Sequence, residues 1–122
     1  MRAAHALLPV LLLLSSTATA KTLTVRGEGS ATCAAWTQEH DARSTRQPVQ
    51  DSWILGYVNG ISESLDIPGM EDVSEPLHNA DLIVWIGRYC SSHPTEHIIR
   101  AASELMRELA RRAERGNQER PQ

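Results

Sequence analysis

Pro48-Val49-Gln50-Asp51-Ser52-Trp53-Ile54-Leu55-Gly56-Tyr57-Val58-Asn59-Gly60-Ile61-Ser62-Glu63-Ser64-Leu65 is the stretch on which the fold turns. Val49, Trp53, Ile54, Tyr57, Val58, Ile61 and Leu65 recur at three- and four-residue intervals. That spacing puts them on one side of an α-helix and is wrong for a strand, whose period is two. Pro48 suits the first turn, where its missing N–H costs nothing. Gly56 and Gly60 sit four apart inside the same helix, where each costs about 1 kcal/mol relative to alanine. Glycines so placed let a second backbone come close. The seam is either a helix crossing within the chain or a dimer or partner contact.

Outward from this helix the chain stays helical. Upstream, Thr32 is placed to cap a short helix running to about His40, with Cys33 and Trp36 on one face. Residues 40–47 are polar and read as a loop. Downstream, Pro68, Gly69 and Pro76 mark Ile67–Asn79 as a loop. Asn79 then caps a third helix with Asp81 in its first turn and Leu82, Trp85, Ile86, Tyr89 and Cys90 as its inward stripe. Ser91–His93 is a turn. Pro94 opens a fourth helix with Ile98, Ala101, Ala102, Leu105, Met106 and Leu109 on its apolar face, and Gly116 is its natural stop. The expected fold is all-α, a small four-helix domain over 32–115 stapled by one disulfide. Residues 21–31 form a flexible lead-in, or at most a short edge strand at Thr22–Val25, and 116–122 a disordered tail. Phenylalanine is absent, so Trp36, Trp53, Trp85, Tyr57 and Tyr89 supply the aromatic bulk of the core.

Residues 1–20 read as a cleavable secretory signal peptide. Arg2 is the basic start, Ala6–Leu14 the apolar run, and Ala18-Thr19-Ala20 the small-residue cleavage site before Lys21. The run is far shorter than the roughly 20 residues a spanning helix needs. Export to the periplasm is expected, with no membrane span after cleavage. Removing the leader leaves 102 residues, with eleven Lys and Arg against 15 Asp and Glu. Dispersed charges with an acidic balance argue against nucleic acid, which calls for a concentrated basic face. Two cysteines, Cys33 and Cys90, remain in the mature chain. In an exported protein they are expected to pair, the alternative being two free thiols. The closed loop of 58 residues would contribute about 4 kcal/mol in the chain-entropy model.

Motifs with chemistry are sparse. Cys90, His93 and His97 have the spacing C-x2-H-x3-H, which resembles a zinc set. It needs Cys90 as a thiolate, for which Cys33 competes, so no metal site is assigned. His40-Asp41 offers a base without a recognisable nucleophile, and Glu71-Asp72 falls in a loop. No P-loop, nucleophile elbow or dinucleotide fingerprint occurs. The expectation is a protein without catalytic activity or cofactor that binds other proteins and is able to form a homodimer.

Thr32-Cys33, then Pro48-Val49 leading to Trp53, then Asp81–Pro94 with its Tyr89-Cys90 pair resemble the HdeA/HdeB acid-stress chaperones. That resemblance implies a small periplasmic helical protein with a Cys33–Cys90 bridge, dimeric at neutral pH. In strong acid it would loosen and hold unfolding clients on apolar surface, here the stripe Trp53, Ile54, Tyr57, Val58 and Ile61. Two other stretches, Gly56-Tyr57-Val58-Asn59-Gly60 and His93-Pro94-Thr95-Glu96-His97, resemble the signatures of periplasmic immunity proteins that neutralise type VI secretion amidase effectors. That second likeness implies a single, specific partner.

Overall fold

The computed structural model describes residues 24–120 apart from 75. The expected signal peptide over 1–20, half of the expected strand over Thr22–Val25 and the last two tail residues lie outside them. Among the described residues the regular structure is helical: α1 (Cys33–Asp41), α2 (Gln47–Ser64), a five-residue α3 (Met70–Ser74), α4 (Asn79–Ser92) and α5 (Ile98–Glu119), preceded by a 3-10 turn at Gly27–Ser30. The chain is therefore an all-α domain of four long helices. A disulfide joins Cys33 at the start of α1 to Cys90 near the end of α4.

Pro48 occupies the first turn of α2 as its ring geometry favours. Gln50, Ile54 and Val58, four residues apart, are the fully buried line of that helix. α5 is the central element. Ile98, Ala101, Ala102, Leu105, Met106, Leu109 and Ala113 are all buried along one stripe, while its other face carries Arg100, Arg107, Arg111 and Arg115. α2, α3 and α4 each pack on this stripe, and α1 packs chiefly on α4. Alanines at 101, 102 and 113 let the neighbouring helices approach closely, and Ile54, Ile86, Ile98, Leu105 and Leu109 fill the space between them.

Several boundaries differ from those expected. Pro94 does not open a helix: α5 begins at Ile98, with His97 as its cap residue. The carbonyls of Pro94 and Glu96 instead accept hydrogen bonds from the backbone N–H groups of Ala34 (2.9 Å) and Cys33 (2.7 Å). They satisfy two first-turn donors of α1 that have no partner within the helix, and Thr32 Oγ1 takes a third, from Ala35 N–H at 3.2 Å. Asn79 is the first residue of α4 rather than its cap. His78 stands outside the helix, and its N–H donates to the Asp81 carboxylate at 2.9 Å. Within the expected loop 67–79, Met70 is buried and α3 packs on α5. Gly116 does not stop α5, which continues to Glu119. Asn117 explains this, since its side-chain amide donates to the Pro68 carbonyl at 2.7 Å and ties the last turn to the segment before α3. Gly69 there has φ +81°, and a Cβ on it would lie 2.7 Å from Asn117 Oδ1. The positive φ favours glycine here, and a Cβ would also push the Asn117 amide out of place. Thr24 and Val25 belong to no strand.

Candidate binding face

The stripe Trp53, Ile54, Tyr57, Val58 and Ile61 faces the interior of the folded chain. Ile54 and Val58 are buried, and Trp53, Tyr57 and Ile61 are half-buried against the core. Ser103 of α5 donates its hydroxyl to the Ile99 carbonyl (2.8 Å), so its oxygen is free to accept from the Tyr57 hydroxyl at 2.9 Å. The Trp53 and Tyr57 rings stack with centroids 5.6 Å apart.

Trp53 is covered from outside by the 3-10 turn. Its indole N–H donates to the Arg26 carbonyl at 3.2 Å. A Cβ on Gly27 would stand 3.3 Å from the pyrrole edge of the ring, and one on Gly29 only 2.2 Å from its benzo edge. The backbone lies directly on the indole because both residues lack side chains. Between them Glu28 reaches sideways to the start of α2. Arg46 donates to both its carboxylate oxygens, Nε at 2.9 Å and Nη2 at 3.0 Å, a two-point pairing stronger than a single bond. The hydrogen bond from Arg46 holds the Glu28 carboxyl below the usual carboxylate range, partial burial opposes this, and a bond from Gln50 adds to it.

Gly56 and Gly60 present the opposite case. A Cβ at either position would meet nothing within 4 Å. Among the described residues the helix crossing that their spacing allows is therefore not formed, and the face they share with Ser52, Asn59 and exposed Val49 is open.

The remaining candidates are placed as follows. Cys33 and Cys90 are bonded to each other and buried, so Cys90 is not available as a thiolate. His93 stacks on Tyr89, with centroids 4.1 Å apart, and donates through Nδ1 to the Tyr89 carbonyl at 2.8 Å. His97 is exposed at the cap of α5. Among the described residues no group of three or more His, Cys, Asp or Glu is placed to hold a metal ion. His40 does not work with Asp41; it stacks on Trp36 and pairs through Nε2 with Asp51 of α2 at 2.7 Å. On α5, Arg111, Arg112 and Arg115 surround Glu108, and its carboxyl is lowered first by the hydrogen bond from Arg112. A cleft of about 220 Å³ between α4 and α5 is lined by Leu82, Trp85, Leu105 and Leu109, with Arg88 and Arg112 also on its wall.

Two features escape sequence reading, the Glu28–Arg46 pair and the His40–Asp51 pair. No motif links their members. The available signal is Gly27-Glu28-Gly29, a charge between two glycines. No helix among the described residues is long and apolar enough to cross a membrane. No family model, curated protein or solved structure matches the chain.

Proposed function

We propose that this is an exported, periplasmic protein without catalytic activity that binds other proteins, and that it works as an acid-stress holdase of the HdeA/HdeB type. The observation that carries the reading is the placing of the α2 stripe. Trp53, Ile54, Tyr57, Val58 and Ile61 form continuous apolar surface, and carboxylate-dependent contacts hold the covering or neighbouring elements: Glu28–Arg46 over Trp53 and His40–Asp51 between α1 and α2. The disulfide keeps α1 attached to α4 when such contacts fail.

The charge inventory supports the same reading. Near pH 3 most carboxylates, with ordinary values of about 4, are protonated. The mature chain then carries eleven Lys and Arg, four His and its amino terminus, a total of +16 in place of −4. Self-repulsion of that size loosens a small domain, and the stripe becomes accessible to unfolding clients. The test is suppression of aggregation of several unrelated periplasmic proteins at about pH 2–3 and at pH 7. The holdase reading expects protection in acid, weaker protection at neutral pH, and a loss with Trp53→Ser. Failure to protect any client in acid refutes it.

The open face at Gly56 and Gly60 favours a second reading, a neutraliser of one type VI amidase effector. Two glycines in a helix interior lower its stability, and none of the described residues fills the space they leave. Tight binding of one amidase at neutral pH, abolished by Gly60→Arg and joined to a lack of holdase activity, would establish this reading over the first.

A further inference from the structure

The segment before α1 is fastened at two points of different kinds. At its C-terminal end the Ala31 carbonyl accepts from Ile98 N–H at 2.9 Å, and two residues on Cys33 is bonded covalently to Cys90. At its outer end the hold consists of the Glu28–Arg46 pairing and the indole N–H bond to the Arg26 carbonyl. Between these points Ser30 Oγ donates to the Gly27 carbonyl at 2.9 Å and Ala31 N–H to the Glu28 carbonyl at 3.0 Å, so residues 27–31 keep their own shape. Gly27 and Gly29 bring backbone but no side chains to the indole, so the cover gains little from apolar burial. Segments held in this way open locally at a fraction of the global free energy.

We infer that residues 26–30 are a strap over the Trp53 indole, latched by the Glu28 carboxylate, and that loss of the Glu28 charge opens the strap as a unit while α1–α5 stay folded. The inference specifies how the holdase site is regulated, and it rests on that reading only for what the uncovered indole does. The strap packs against α2 and α5. From α2, Arg46 and the neutral Gln50 act on Glu28; no charged group of α5 does, and Glu39 of α1 acts on Arg46. The sign follows from the two-point pairing. It holds while Glu28 is ionised and fails as the pH falls through the depressed value of that carboxyl. The positive charge of Arg46 persists, so the guanidinium then lacks its partner.

The full mature chain, its Glu28→Gln variant and its Gly29→Ala variant test this by hydrogen exchange of the strap amides and the three indole N–H groups. Glu28→Gln at pH 7 should speed exchange at the Trp53 indole about two- to fivefold, as expected when an exposed ion pair is lost. The Trp36 indole and the α5 amides should keep their protection. Gly29→Ala, whose Cβ has no room against the ring, should give the same pattern at every pH and so serves as the open reference. The wild type should pass from closed to open as the pH falls, before α5 loses protection. Unchanged Trp53 protection in Glu28→Gln, or loss of strap and α5 protection together in the wild type, overturns the inference. Client capture measured on the same samples separates it from the reading beneath it. A strap that opens without capture removes the holdase and leaves the strap standing; capture by a closed strap does the reverse.

Discussion

Replacing both Cys33 and Cys90 with alanine should lower the melting temperature by about 15–30 °C. The two residues are 57 apart in sequence, and freeing a loop of that length returns about 4 kcal/mol of chain entropy to the unfolded state. In a domain of this size each kcal/mol moves the midpoint by roughly 4–8 °C. Small domains have only about 5–15 kcal/mol in total, so the bridge is a major part of what keeps the chain folded. The loss falls on α1. Without the bridge that helix is held by the Trp36 contacts, the His40–Asp51 pair and the two backbone bonds to Glu96 and Pro94. Double alanine replacement avoids leaving a lone buried thiol. Thermal melts followed by far-UV circular dichroism, on the oxidised wild type, the reduced wild type and the double variant, make the comparison. If reduction and replacement both leave the midpoint within a few degrees of the oxidised protein, the bridge does not constrain the unfolded chain and the reasoning fails.

Two further outcomes follow from the same packing. Gly56→Ala and Gly60→Ala should each raise stability by about 0.5–1 kcal/mol, because the added Cβ enters open space and helix propensity alone acts. A lowered melting point, with a change in sedimentation, would instead mean that a second copy covers this face. Glu108→Gln should cost less than about 1 kcal/mol at pH 7, as exposed ion pairs do. The Glu108 carboxyl is depressed by Arg112, so its contribution is present above the ordinary carboxylate range and is lost as the pH falls through the folded value. Melts of variant and wild type should therefore converge in acid, and a gap that widens there would contradict the assignment.

What the sequence disclosed followed from local periodicity. The α2 stripe, the apolar face of α5 and the Thr32 cap depend on neighbours three or four residues away, and each is visible in one window. What stayed hidden depends on partners far along the chain. Gly27 and Gly29 read as a flexible lead-in, yet they are where the backbone lies on an indole 24 or more residues later. Gly56 and Gly60 read as a seam, and among the described residues nothing meets them. A glycine frees the backbone or admits a neighbour, and only the neighbour's position tells which. Pro94 read as a helix start because its ring suits a first turn, but its carbonyl is committed to α1. Asn117 carries α5 past Gly116 through a bond to Pro68, 49 positions earlier. The α2 stripe is legible as apolar surface, whereas its cover is not, because Glu28 and Arg46 are one acid and one base among many until the fold joins them.

The stitching of α1 to the turn before α5 bears on the order of assembly. Ala31, Cys33 and Ala34 find their backbone partners at Ile98, Glu96 and Pro94, and Thr32 pairs with His97 as an isolated bridge. A chain made from its amino end therefore produces the first helix about sixty residues before the carbonyls that cap it. α2, α3 and α4 are complete in that interval, and α1 waits with its leading N–H groups in water. Closing so distant a junction is slow relative to forming local helices. The amino-terminal helix is thus expected to be among the last to dock.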